Sequence, residues 1–262
     1  MTMDPYPLSK TQHRVQQSFQ RGFRKYNENA YVQKQIAARL VDLFTQNTST
    51  PHFHSALEIG CGTGFLTQEL VQQLSVDRWS INDLLSDSKD LIAPLLNAST
   101  WDFLPGAIET KELAGNYDLI ASASTLQWIA DTAGLLQKLS DNLVPGGWLA
   151  LSSFGPKHFH ELNMFDNNSH SMSYFNCTDW RSLLPKSLVP KYIGQDIHLA
   201  KFNTVQKLLM HLRNTGVNAN TGHQWSRQSL ATFEQEYTHR FSDQDQKVCL
   251  TYNPVYIIAQ KL

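Results

Sequence analysis

Apolar residues recur along this chain with two different periods, and their alternation orders its elements. Over residues 9–46 the pattern is helical and polar-rich, with Val32, Ile36, Leu40, Leu43 and Phe44 on one face. The run NTSTPHFHS, residues 47–55, reads as a loop from its Asn, Ser, Thr and Pro content, and it leads into a short apolar strand at 56–59. Leu66, Leu70, Val71 and Leu74 mark the next helix, residues 79–82 a second strand, and residues 86–97 another helix. A third strand precedes Gly106. Residues 117–123 form a strand apolar on both faces, as buried parallel strands are. Leu135, Leu136, Leu139 and Leu143 stripe a helix, after which Pro145-Gly146-Gly147 turns the chain into a strand at 148–153. Alternating strands and helices predict an α/β, Rossmann-like doubly wound, mostly parallel sheet, with ligands at the carboxyl ends of its strands.

Residues 155–185 break the alternation, being rich in His, Asn, Ser and Phe with weak periodicity, and read as an insertion over the site. Beyond it the pattern predicts a strand over 192–202, helices over 204–212 and 226–240, and a terminal strand over 249–260 with Pro254 near an edge or bulge. The chain reads as one domain: an N-terminal helical cap (1–46), a ligand-binding core (47–154), an insertion or lid (155–190), and the rest of the sheet with the substrate region (191–262).

Composition narrows the function. The first twenty residues hold no apolar leader core, and no run approaches the roughly 18 apolar residues of a membrane span, so a cytoplasmic protein without membrane attachment is expected. Cys61, Cys177 and Cys249 are odd in number and widely spaced, which suits reduced thiols and argues against both disulfides and a metal site. A net charge of -1 speaks against nucleic-acid binding. Charge is nevertheless uneven. Residues 1–46 and residues 185–213 each carry a local balance of +4, which fits either solvated helix faces or a docking surface for an acidic partner.

The strongest chemical signal is Leu57-Glu58-Ile59-Gly60-Cys61-Gly62-Thr63-Gly64, three glycines between an apolar strand and an amphipathic helix. Such a loop lets backbone and ligand approach closely. A dinucleotide loop would need its third glycine at position 65, where Phe65 stands. Asp83 follows Gly62 by 21 positions at the end of the second strand, where a carboxylate can accept from both ribose hydroxyls; a helix cap is its bland alternative. Trp128 reads as core packing and Gln127 as the better polar contact.

The G-x-G-x-G spacing with Glu58 two residues ahead resembles the first motif of class I methyltransferases. FQRGFRKYNENAYVQKQIA at 19–37, LEIGCGTGFLT in the middle, STLQW at 124–128, HLRNTGVN at 211–218 and LTYNPVYIIAQK near the end resemble, over nearly the whole chain, the malonyl-acyl-carrier-protein O-methyltransferases of biotin synthesis. The resemblance implies the class I methyltransferase fold and transfer of a methyl group from S-adenosylmethionine to the free carboxylate of a malonyl thioester, leaving S-adenosylhomocysteine. It implies a cofactor site of Tyr26, Glu58, Gly60, Cys61, Gly62, Gly64, Asp83, Leu84, Ala107, Ile108 and Ser124, with Ala107 where relatives often carry an Asp. Arg21, Gln127 and Arg213 are the candidates for holding the acceptor. A carboxylate is already ionised at pH 7, so no general base is needed. The partner is a malonyl-acyl carrier protein or malonyl-coenzyme A, and the enzyme is expected to be a monomer. Two rivals stay open: a phenol, quinone or other carboxylate acceptor, for which His158, His160 or His170 could supply a base, and a protein that binds the cofactor without catalysis.

Overall fold

The computed structural model describes residues 10–22, 25–50, 52–96, 99–165, 174–216 and 226–262. The N-terminal helical pattern resolves into three helices, α1 (Lys10–Gly22), α2 (Tyr26–Asn29) and α3 (Tyr31–Asn47). The alternating core follows: β1 (His52–Ile59), α4 (Phe65–Gln73), β2 (Ser75–Asp83), α5 (Ser88–Ile92), β3 (Thr100–Pro105), β4 (Tyr117–Ser122), α6 (Thr132–Asp141) and β5 (Leu143–Phe154). The remainder comprises α7 (His160–Asn163), α8 (Cys177–Leu183), β6 (Leu188–Gln195), β7 (His198–Phe202), α9 (Val205–Asn214), α10 (Arg227–Phe241), β8 (Val248–Tyr252) and β9 (Pro254–Lys261).

Seven strands form one sheet in the order β3-β2-β1-β4-β5-β9-β6, parallel from β3 to β5 and antiparallel where β9 meets β5 and β6. This is the doubly wound sheet the alternation predicts. Its two faces are covered by separate apolar clusters, one around α3, α4, α9 and α10, the other around α6 and α8. No helix among the described residues is long and apolar enough to cross a membrane.

Several boundaries differ from the sequence pattern for definable reasons. β1 begins at His52 rather than at residue 56: residues 52–55 alternate, Phe53 is buried, and His52 and His54 both reach Asp77 of β2 at 3.0 Å. Pro145-Gly146-Gly147 lies inside β5, where the pairing with β4 slips between Tyr117 and Leu119, so a bulge stands where a turn is expected. Leu143 consequently belongs to β5 and not to the α6 stripe. The single strands expected over 192–202 and 249–260 are each broken in two. Both breaks occur where the chain leaves the large sheet for the two-stranded sheet of β7 and β8, and they are tied together: Asn253 Nδ2 donates to the Asp196 carbonyl at 3.0 Å and the Asp196 amide to the Pro254 carbonyl at 3.0 Å. Pro254 takes the first position of β9, where a missing N–H costs little.

None of the described residues of the expected insertion lines the cavity above the strand ends. Asn176 and Asp179 form a reciprocal capping box that starts α8, and Trp180 is buried against the face of the sheet covered by α6. Residues 166–173 lie outside the described residues.

Candidate active site

A cavity opens above the carboxyl ends of β1, β2, β3 and β4, where a parallel sheet exposes its strand termini. Its floor is the glycine loop. The Gly60 and Cys61 amides both donate to the Asn82 carbonyl, at 2.8 and 3.1 Å, which presses the loop onto the end of β2. Asn82 Nδ2 in turn donates to the carbonyls of Leu104 and Gly106, at 2.7 and 2.9 Å, fastening the end of β3. Asp83 accepts from the Gly62 amide through Oδ2 and from the Leu85 amide through Oδ1, each at 2.7 Å. Burial raises its pKa against these stabilising donors. Each carboxylate oxygen keeps acceptor capacity toward the cavity.

The glycines divide the work. A Cβ on Gly62, at φ +54°, would meet nothing within 4 Å and would occupy open cavity space. A Cβ on Gly64, at φ +92°, would lie 2.7 Å from Leu95 Cδ1. Gly62 therefore leaves room for a ligand, and Gly64 lets the start of α4 pack on the segment after α5.

The N-terminal helices supply the opposite wall. Val15 and Phe19 of α1, Tyr26 of α2, and Gln33 and Ala37 of α3 all line the cavity. Phe19 packs edge-on to Trp128 at 5.6 Å, and Tyr26 stacks on Phe65 at 5.9 Å and 30°. The aromatic at the position of the missing dinucleotide glycine thus makes part of this wall. Burial and the nearby Asp83 push the Tyr26 phenol well above its usual range, so it stays protonated and can donate. Ser124, just past β4, sits at φ +55°, a strained backbone for a non-glycine residue, with its hydroxyl buried and unpartnered.

The structure brings together nine of the expected site residues around the cavity: Tyr26, Gly60, Cys61, Gly62, Asp83, Leu84, Ala107, Ile108 and Ser124. It sets five others apart from it. Glu58 points into the protein, accepting from Thr67 Oγ1 at 2.8 Å, and burial pushes its carboxyl up to about 8, so it is mostly neutral at pH 7. Gly64 packs as described above. Gln127 sits in a 3-10 turn, Leu126–Trp128, and its Nε2 donates to the Ser124 carbonyl at 2.7 Å, bracing that turn. Arg21 and Arg213 are exposed in the last turns of α1 and α9. Those helix ends meet closely enough that a Cβ on Gly22 would lie 2.6 Å from the Asn214 carbonyl.

Residues not anticipated for the site include Phe19, Gln33, Phe65 and Trp128. Trp128, expected as core packing, is a cavity wall whose Nε1 is buried and unpartnered. Its place directly after the fourth strand was the available signal. His158 is stacked between Phe154 and Phe159, at 3.8 Å from each, and burial holds it neutral. His160 lies beside Glu161. Neither lines the cavity, and His170 is outside the described residues.

This donor set fits an adenosyl group with a charged tail. The Asp83 carboxylate has the acceptors a ribose diol needs, Leu84, Ala107 and Ile108 offer an apolar slot for a base, and the glycine loop leaves room beside them.

Residues 26–196 match the family model described as a methyltransferase domain. A malonyl-[acyl-carrier protein] O-methyltransferase of Porphyromonas gingivalis is 34% identical, with 90% of each chain covered. One of Acinetobacter baylyi is also 34% identical, covering 94% of this chain and 96% of its own. Among solved structures, the N-methyltransferase NodS of Bradyrhizobium japonicum WM9 in complex with S-adenosyl-l-homocysteine superposes with a TM-score of 0.58 at 14% identity, covering 95% of this chain and 98% of that one. The YcgJ protein of Bacillus subtilis gives 0.58 at 13% identity, with 85% and 97% covered. These structures share the sheet and its helices. The 34% identity to the Porphyromonas gingivalis and Acinetobacter baylyi enzymes, carried over nine-tenths or more of both partners, places this chain in the malonyl-[acyl-carrier protein] O-methyltransferase family.

Proposed function

We propose that this enzyme transfers the methyl group of S-adenosylmethionine to the free carboxylate of a malonyl group carried on acyl carrier protein, making a methyl ester for biotin synthesis. The observation that carries the choice of acceptor is the likeness, over nearly the whole length of both partners, to relatives named malonyl-[acyl-carrier protein] O-methyltransferase. A phenol would need a base to lose its proton, whereas a malonyl carboxylate arrives ionised.

S-adenosylmethionine supplies a methyl group on a positively charged sulfur. The chain's own residues bind, orient and exclude water. Asp83 anchors the ribose and Gly60 to Thr63 leave the passage for the amino-acid end. The acceptor carboxylate is received by neutral donors: Trp128 Nε1, a donor-only group buried without a partner, with the protonated Tyr26 hydroxyl and the unpartnered Ser124 Oγ. Phe19, Phe65 and Val15 keep the space apolar, so the attacking oxygen loses water and the reacting groups are held close.

Arg21 and Arg213 take a different role from the one expected of them. Both stand exposed where α1 meets α9, the helices of the two basic segments. That surface steers an acidic carrier toward the cavity mouth. A coenzyme A thioester would be drawn by the same charges, and competition between the two carriers at physiological salt tests the preference.

Trp128→Phe separates reception of the acceptor from binding of the donor. The variant keeps the ring and loses the N–H. We expect donor affinity to persist and methyl transfer to malonyl carrier to fall about tenfold or more, the scale for losing one hydrogen bond to a charged group. Unchanged transfer would remove Trp128 from the acceptor site.

A further inference from the structure

Gln33 is the one amide side chain from α3 in the cavity wall, and it is more than nine-tenths buried. Its Oε1 is buried without a partner. Such an atom costs free energy until a ligand supplies a donor, so its persistence in a cavity wall points to one. The amide is held from behind. It reaches the Tyr252 hydroxyl of β8, and that hydroxyl lies 2.6 Å from His211 Nε2 of α9. Burial lowers His211 to about 4, so its ring is neutral at pH 7 and forms one hydrogen bond with the phenol. Phe202 and Tyr31 pack on the imidazole at 5.0 and 5.9 Å and fix its plane. Gln33 lies far from His211 and Tyr252 in sequence, so the chain of contacts exists only in the folded protein.

The place of Gln33 along the cavity decides what it meets. Asp83 and the apolar slot of Ala107 and Ile108 lie over β2 and β3. Gln33 stands instead on α3, which packs along α4, the helix that starts directly after the glycine loop. A nucleoside held at Asp83, with its base in that slot, has the glycine loop and the α3–α4 wall left for its tail. A primary amide carries an acceptor oxygen and donor hydrogens side by side, the complement of an ammonium next to a carboxylate. We propose that the Gln33 amide, positioned by Tyr252 and His211, grips the amino-acid end of the methyl donor and selects donors that carry it. This inference rests on the donor being S-adenosylmethionine.

The test is calorimetric binding of S-adenosylhomocysteine and of 5′-methylthioadenosine, which lacks the amino-acid end, to the wild type, Gln33→Leu and Tyr252→Phe. For Gln33→Leu we expect homocysteine-ligand affinity to drop about tenfold while 5′-methylthioadenosine binds within a factor of about two of wild type. For Tyr252→Phe the same selective loss is expected at about two- to fivefold, because the amide remains but is no longer held. A purely structural role for Tyr252 would weaken both ligands alike. Thermal melting of each variant, and the retained 5′-methylthioadenosine affinity itself, show that the site is folded. If the ratio of the two affinities in Gln33→Leu equals that of the wild type, the inference is overturned, including the case in which only the carrier KM changes. If the wild type binds neither ligand, the donor reading itself fails instead.

Discussion

Asp83 Oδ2 accepts the Gly62 amide at 2.7 Å, so the carboxylate that ends β2 also fixes the residue whose missing side chain makes room for the ligand. One group thus shapes the loop and is the proposed anchor of the ribose. Asp83→Ala removes both contributions at once. We expect donor affinity to fall by about 1 to 3 kcal/mol, the cost of losing a buried charge-assisted acceptor. Titration calorimetry with S-adenosylhomocysteine measures it, and unaltered affinity would mean that Asp83 serves only the backbone.

Gly62 and Gly64 are one residue apart from a shared neighbour, yet substitution should have opposite consequences. Gly62→Val fills open cavity space at φ +54°, so it should abolish donor binding with a stability cost of about 1 to 2 kcal/mol from the strained backbone. Gly64→Ala drives a methyl to within 2.7 Å of Leu95 and should lower the melting temperature more than Gly62→Ala does. Paired melting and binding curves distinguish the two; equal melting temperatures for the two alanine variants would contradict the division.

Glu58 gives a pH signature. Its folded pKa of about 8 lies above the ordinary 4.5 of an exposed carboxyl. The folded state therefore holds a proton that the unfolded chain releases. The stabilisation this brings is complete below about pH 4.5 and is lost as pH rises toward 8, at up to about 1.4 kcal/mol per pH unit from this group. Glu58→Gln should flatten the fall in stability between pH 5 and 8 and leave donor affinity within a few-fold, since the side chain faces Thr67 and not the cavity. Denaturant unfolding across that range checks the first expectation. A variant that lost donor binding while still folded would return Glu58 to the cofactor site.

Arg21 and Arg213 should behave as surface charges. Arg21→Lys and Arg213→Lys are expected to keep near-normal turnover. Charge reversal at either position should raise the KM for the acyl carrier severalfold at low salt, with the effect fading above about 0.3 M as screening shortens its range. A large kcat loss in either lysine variant, at saturating carrier, would bring that arginine into the site.

What could be read from the chain divides along contact distance in sequence. The glycine loop and Asp83 belong to neighbouring strand-loop units, and their spacing predicted where they would meet, while the slot at Ala107 and Ile108 came from the family resemblance. The roof could not be read the same way. Residues 155–190 looked like the cover because they lack periodicity, whereas the described cover comes from α1, α2 and α3, whose polar-rich helical pattern resembles any solvated surface. Arg21 and Arg213 sit in segments that the resemblance singles out, but the rotation of α1 and α9 about their axes decides where the side chains point. The two helices meet where Gly22 lies against the Asn214 carbonyl. Gln33 was inside a quoted segment and unremarkable there; its meaning depends on Tyr252 across the fold. The breaks at Asp196 and Asn253 escaped notice because each interrupts an otherwise continuous strand pattern by only a residue or two, and only their mutual hydrogen bonds show why the chain changes sheets there.

The central claim is that a malonyl carboxylate on a protein carrier accepts the methyl group. Incubating the enzyme with methyl-labelled S-adenosylmethionine and, separately, malonyl-acyl carrier protein, malonyl-coenzyme A, acetyl-acyl carrier protein and a phenolic acceptor tests it most directly. We expect base-labile label on malonyl-acyl carrier protein, little on the acetyl carrier that lacks a free carboxylate, and none on the phenol. Label confined to the phenol, or absent from every malonyl thioester while S-adenosylhomocysteine still binds, would contradict it.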